Sequence, residues 1–128
     1  MSLALPSELE PFVDNIDEMH REGAYALVLE RPDDFGSAWD DRHDRRPGWF
    51  DAARTADTLC YVGGASDVLS RLEDHRDGDV RTTVLTEICD IDRLHTVWWA
   101  DDDPYVVVEF RLAKMLMNER PRWYVRQQ

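Results

Sequence analysis

A chain of 128 residues is long enough for one ordinary hydrophobic core and too short for two. Its 43% hydrophobic content, with five Trp, four Tyr and four Phe, excludes disorder throughout. No run approaches the roughly 18 apolar residues of a membrane span, and the opening MSLALPSELEPF lacks the basic stretch of an export signal.

Charge is the unusual feature: 27 acidic side chains stand against 15 basic ones, for a formal net charge of -12. Such a surface repels polyphosphates at ordinary ionic strength, which argues against a conventional nucleic-acid binder. Molar salt removes most of that repulsion, because the Debye length falls to about 3 Å. Abundant carboxylates with a single lysine, Lys114, resemble the composition of proteins from extreme halophiles that keep salt inside the cell. The expectation is a cytoplasmic protein of a halophilic archaeon, with an ordinary acidic binding protein as the rival. Cys60 and Cys89 stand apart without a CxxC or metal-finger spacing, and read as small buried thiols.

In chain order, Phe12, Ile16 and Met19 are spaced among acids and predict a short amphipathic helix over about residues 9–22, ended by Gly23. AYALVLERP then predicts a buried strand, with Tyr25, Leu27 and Leu29 on one face, Ala26 and Val28 on the other, and Pro32 closing it. Residues 33–57 are polar but carry Phe35, Trp39, Trp49 and Phe50, aromatics that should pin the segment to the body. A structureless loop of that length is uncommon, so part of it should be helical or functional. Arg42, Arg45 and Arg46 sit among Asp40, Asp41 and Asp44, a pattern that reads first as a solvated, self-paired loop.

TLCYVGG predicts a second strand, stopped by Gly63 and Gly64, and SDVLSRLEDHRDGD a helix of about ten residues with Ser66 as cap and Gly78 as terminator. VRTTVLTEICDI is ambiguous between helix and strand, whereas DRLHTVWWA reads as a strand. DDDP marks a helix start, with Asp103 capping and Pro104 in the first turn. The strand propensity of YVVVEF conflicts with it, and the spacing beyond Glu109 decides for a helix from Pro104 to about Asn118.

Chemistry concentrates in few residues. On the Ser66 helix, Arg71 and His75 are one turn apart beside the apolar row Val68 and Leu72. Alone, they read more readily as surface groups. Glu109 has Leu112, Ala113 and Leu116 at helical spacing, so its carboxylate falls in the middle of the apolar face. An ionised carboxylate buried there costs several kcal/mol or shifts its pKa upward, and calls for a metal ion, an arginine or hydroxyl donors. A buried ion pair, or a strand with Glu109 facing solvent, are the structural alternatives. Tyr25 and Tyr61 lie on the two candidate strands and, taken singly, read as core aromatics.

Together these residues resemble the GIY-YIG nuclease family. Gly23-Ala24-Tyr25 stands where GIY would, Tyr61-Val62-Gly63 where YIG would, and YVGGASDVLSRLEDH matches the family run of YIG, Ser, Asp, Arg and His, with intervals of ten residues from Tyr61 to Arg71 and four to His75. The resemblance covers roughly Gly23 to Tyr124. It implies a small α+β domain over residues 1–128, with a three-stranded, mainly antiparallel sheet flanked by helices. It also departs from the family pattern. Tyr25 and Tyr61 are 36 residues apart, which makes 33–57 a large insertion; Glu109 lies about a turn farther from Pro121 than is usual; and no asparagine follows Tyr124.

The activity so implied is divalent-metal-dependent endonucleolytic hydrolysis of DNA phosphodiester bonds, with Mg²⁺ as cofactor and Mn²⁺ as a possible substitute. Tyr25 would activate or orient the attacking water with help from His75, Tyr61 would hold the water or phosphate network, Arg71 would neutralise charge on the transition state, and Glu109 would bind the metal. His95 falls outside this cluster, on a strand or sheet edge. The alternative is a non-catalytic domain of the same scaffold that binds nucleic acid, a protein partner or a second copy through the 33–57 insertion. No membrane association is expected, and DNA binding is expected at high salt.

Overall fold

The computed structural model describes residues 20–77 and 88–127, and for residues 73 and 75–77 the backbone only. Of the helix expected over about 9–22, residues 9–19 lie outside the described residues, and 20–22 form bends leading into the first strand. Gly78 and most of the ambiguous stretch 80–91 also lie outside them.

Four strands, β1 (Gly23–Glu30), β2 (Thr58–Ala65), β3 (Asp90–Trp99) and β4 (Trp123–Gln127), form one mixed sheet in the order β3-β1-β2-β4. Strand β1 pairs antiparallel with β2 and β3, while β4 runs parallel to β2. The fold is thus mixed α/β, as its sequence predicts, but the sheet has a fourth strand beyond the three expected. Its source is the segment after Pro121: Trp123, Tyr124 and Val125 favour extended backbone, and they pair with Thr58, Leu59 and Cys60 respectively along the outer side of β2. Of the β1–β3 pairing, two register shifts between Ala26 and Leu29 interrupt the ladder beside the β3 edge.

The two faces of the sheet bury different material. Tyr25, Leu27, Leu29, Leu59 and Tyr61 pack against α1 (Phe35–Asp40), α2 (Phe50–Thr55) and α3 (Val68–Asp77). The opposite face is lined by the small residues Ala24, Ala26 and Cys60 with Val62, and α4 (Tyr105–Glu119) lies across it through Val108, Leu112, Ala113 and Leu116. Small side chains let this helix approach the backbone and touch all four strands. Residues 33–57 therefore do contain helix, and their aromatics are core pieces: Phe35 stacks on Phe50, and Trp39 packs edge-on against Trp49 and Phe50 while its indole N–H donates to the Arg45 carbonyl. Arg46 pairs through two hydrogen bonds with Asp40, the self-pairing that the alternation of charges predicts.

Two helix starts differ from expectation. Asp67, not Ser66, caps α3, its carboxylate accepting the Ser70 amide. Pro104 occupies the cap position of α4 with extended backbone, and Asp103 pairs instead with Arg111 at 2.6 Å. The Tyr105 amide is satisfied from far away in sequence, donating to the Glu22 carboxylate at 2.9 Å. Cys60 and Cys89 are buried free thiols, both pushed up to about 12 by burial. No helix among the described residues is long and apolar enough to cross a membrane.

Candidate functional site

Two glycines at the end of β2 open the site. Among the described residues pairing with β4 ends at Val62, and Gly63 and Gly64 pair only with β1. A Cβ at Gly63 would lie 2.6 Å from the Tyr25 hydroxyl, on the α3 face of the sheet. A Cβ at Gly64 would lie 2.7 Å from the Tyr105 ring and 3.3 Å from a Glu109 carboxylate oxygen, on the α4 face. The absence of side chains at these neighbouring positions brings groups from both faces to one end of the sheet.

Arg71 comes from α3, whose Val68, Leu69 and Leu72 anchor it on the core and leave the arginine at the helix edge. Its guanidinium donates a hydrogen bond to the Tyr25 hydroxyl, while its Nε is buried with no hydrogen-bond partner among the described residues. Tyr25 has no exposed surface, and neither has Tyr61, whose ring centroid is 6.4 Å from that of Tyr25. Both face the same side because they are diagonal neighbours in the β1–β2 register, where Leu27 pairs with Tyr61 and Tyr25 with Gly63. Burial, with Tyr61 and Glu109 adding to it, drives the Tyr25 phenol well above its ordinary value; Arg71 opposes this but does not overcome it. The hydroxyl is therefore held protonated and covered, as a rest for the guanidinium.

Glu109 lies on α4 between Val108 and Leu112 and is 6% exposed, the sole buried acidic or basic side chain among the described residues apart from phenols and thiols. Its Oε1 has no hydrogen-bond partner, and no ion pair reaches it among the described residues. Burial raises its pKa. Neither structural alternative is seen: the residue is on a helix, not a solvent-facing strand, and no ion pair reaches it among the described residues.

Arg71 and Glu109 line one open cleft of about 570 Å³ with Gly64, Ser66, Asp67 and Tyr105. Ser70 and Asp74 complete its α3 wall. The cleft thus holds three carboxylates to one guanidinium. Burial works against ionisation of Asp67, but the Ser70 amide and His20 outweigh it and hold the carboxyl below its usual range. Of the residues that the sequence singles out, Arg71 and Glu109 share the cleft, and Tyr25 touches Arg71 from beneath. Tyr61 supports Tyr25 one layer deeper. His75 is on α3, but its side chain lies outside the described residues. No residue of 33–57 lines the cleft. His95 is on the edge strand β3 with its ring 5.1 Å from that of Trp123, away from the cluster.

The donor set fits a hydrated divalent cation. No group of three or more His, Cys, Asp or Glu side chains converges among the described residues, so a protein-built cage is not present there. Mg²⁺ does not need one: it commonly keeps several waters and takes one or two carboxylates plus substrate oxygens. Glu109 lines the open cleft and could supply one such carboxylate, its other oxygen, Oε1, being buried without a partner among the described residues.

Sequence reasoning missed Tyr105 and Glu22, and read Gly64 and Asp67 only as a strand stop and as the acid of the helix start and family run. The second glycine of the GG pair was a visible signal for close approach; the Glu22 contact spans 83 residues and leaves no local trace. No family profile, curated protein or solved structure matches the chain.

Proposed function

We propose that this chain is a divalent-metal-dependent endonuclease that hydrolyses DNA phosphodiester bonds on a GIY-YIG-like scaffold, acting in a salt-rich cytoplasm. The observation that carries this reading is the Glu109 carboxylate, one oxygen of which is buried without a partner among the described residues, in a side chain that lines an accessible cleft with Arg71. A fold does not keep such a group for stability, since an apolar residue would pack there at lower cost. Perturbed, unsatisfied ionisable groups in clefts mark sites of chemistry. The GIY, YIG, Arg and His run and the antiparallel pairing of Tyr25 and Tyr61 strands support the scaffold assignment.

In this reading Arg71 binds the scissile phosphate and neutralises the charge that grows on its oxygens. Tyr25 fixes the guanidinium through its hydroxyl, and the Tyr61 ring holds Tyr25 in place, so both tyrosines serve as positioning groups in the closed arrangement. Water activation, which the family resemblance gives to Tyr25, needs an accessible proton acceptor. The His75 imidazole, which the resemblance gives as the helper of Tyr25, is the candidate. Glu109 would hold Mg²⁺ or Mn²⁺, which when bound supplies Lewis-acid stabilisation of the departing oxygen. Asp67 and Asp74 add negative charge to the α3 wall, so the polyanion approaches only when dissolved cations screen the cleft.

The alternative, a non-catalytic module that binds partners through residues 33–57, is disfavoured by packing: Phe35, Trp39 and Phe50 face the core and none of the segment enters the cleft. Plasmid and branched DNA should be cut in multimolar KCl with Mg²⁺ or Mn²⁺, and Glu109→Ala should abolish it. Purified protein inert at every salt and metal tested, with Glu109→Ala indistinguishable from wild type, removes the enzyme reading.

A further inference from the structure

Three consecutive residues ahead of β1 tie together the two helices that carry the site. The His20 imidazole Nδ1 lies 2.9 Å from the Asp67 carboxylate, at the cap of α3. The Arg21 carbonyl accepts the amide of Val68, the first residue of α3, at 2.9 Å. The Arg21 guanidinium pairs with Asp101 at 3.0 Å and covers the Trp99 ring. The Glu22 carbonyl accepts the Ala100 amide at 2.9 Å, and the Glu22 carboxylate accepts the amide of Tyr105, the first residue of α4, at 2.9 Å. One short segment thus contacts the N-terminal end of α3 on one side of the sheet and that of α4 on the other.

We infer that Glu22 is a positioning residue for the cleft: by holding the first turn of α4, it sets Glu109 opposite Arg71, a role that rests on the hydrolase reading for its consequence in catalysis. The geometry gives it leverage. The end of α4 has no cap of its own, because Pro104 lacks a side-chain acceptor and Asp103 is paired with Arg111. Four amides at a helix start lack intrahelical partners, and a carboxylate there is favoured by the helix dipole as well as by the hydrogen bond. Glu109 is four residues from Tyr105, one turn along, so movement of the first turn moves the carboxylate directly. On the other side, Gly64 admits Tyr105 and Glu109 so closely that the turn has little latitude elsewhere. Residues 20 and 21 hold α3 by their own contacts, and so the segment fixes the distance between the two walls.

The test compares Glu22→Ala with Glu22→Gln, which loses the charge but keeps a carbonyl acceptor for the Tyr105 amide. Exchange of the Tyr105 amide, followed by NMR, should quicken about tenfold in the alanine variant, the equivalent of a typical lost cap, and stay within about threefold of wild type in the glutamine variant. Cleavage by the alanine variant should lose about tenfold in kcat with KM for DNA little changed, because the phosphate contact of Arg71 persists. Glutamine should restore most of that loss. Unfolding curves for both variants show whether each assay is run on folded protein. Unchanged Tyr105 protection in Glu22→Ala overturns the inference, as does a kcat equal to wild type. If the wild-type chain itself cuts nothing, the hydrolase reading falls, and Tyr105 exchange still decides by itself whether Glu22 anchors the helix.

Discussion

Replacing Glu109 by glutamine should make the folded protein more stable at neutral pH while destroying its activity. One carboxylate oxygen is buried without a hydrogen bond among the described residues, and the other lies beside Gly64 at the cleft. An unsatisfied buried polar group costs about 1–3 kcal/mol, more when charged, but water in the open cleft screens the second oxygen, so about 1–2 kcal/mol is a reasonable expectation. For a chain of this length each kcal/mol moves the melting temperature by about 4 °C, giving a rise of about 4–8 °C. Glu109→Met, which also removes the remaining amide polarity, should gain at least as much. The sign of the pH dependence follows from burial raising the pKa in the folded state. Well below the ordinary glutamate value of about 4.3, the carboxyl is neutral in both states and the variants should melt together. As pH rises through that value and then the higher folded one, the unfolded chain ionises first, and wild type loses stability relative to Glu109→Gln until the gap is constant.

Circular dichroism melts from about pH 3 to 8 in multimolar KCl measure this directly. Adding Mn²⁺ at neutral pH should narrow the gap, since a ligand at about ten times its Kd stabilises wild type by about 1.4 kcal/mol and leaves the glutamine variant unmoved. A glutamine variant less stable than wild type at pH 7.5, by as much as at pH 4.5, would mean the carboxylate has a favourable partner, and the argument for a functional site at Glu109 would collapse.

Three further outcomes are expected. Arg71→Ala should lower kcat by about 10²–10³, the usual cost of losing a transition-state charge partner, whereas Tyr25→Phe, which keeps the buried ring and loses only the hydroxyl contact, should cost markedly less; equal losses would return Tyr25 to direct water activation. Cleavage should rise with KCl from about 0.1 to 2 M, the reverse of ordinary DNA-binding proteins, because screening a net charge of -12 outweighs the weakening of Arg71 contacts; a monotonic fall with salt refutes that balance. Trp39→Ala should destabilise the chain by about 3–5 kcal/mol in urea titration, since Trp39 packs in the core against Phe50 and Trp49; a loss below about 1 kcal/mol would show the 33–57 segment to be peripheral.

What could be read from the sequence was whatever had a period or a nearby partner. The alternation in AYALVLE, the strand character of TLCYV and the apolar spacing of α4 are local patterns, and Glu109 stood out as a charge that breaks such a pattern; the expected stop at Gly63 and Gly64 was wrong, because pairing with β1 carries the strand on to Ala65. The hidden features are those in which one segment completes another. Strand β4 exists because β2 offers an unpaired edge to Trp123–Gln127, and nothing near Pro121 announces that edge. The Tyr105 amide finds Glu22 because β1 and α4 begin at the same end of the sheet, so the local DDDP signal, correct in announcing a helix, named the wrong cap.

The burial of Tyr25 and Tyr61 follows from the same cause. Alternation put them on one face, but only the insertion and α3 together decide that this face is covered to the strand's end. A shorter connection between β1 and β2 would leave less material over that face. The large 33–57 segment, read in the sequence as a candidate binding element, thus acts from below: it closes the core beneath the tyrosines and leaves Arg71 and Glu109 as the singled-out residues that line the open cleft. Access to the Tyr25 hydroxyl then requires α3 to shift, and that shift is opposed by the contacts of Asp67 and Val68 with His20 and Arg21.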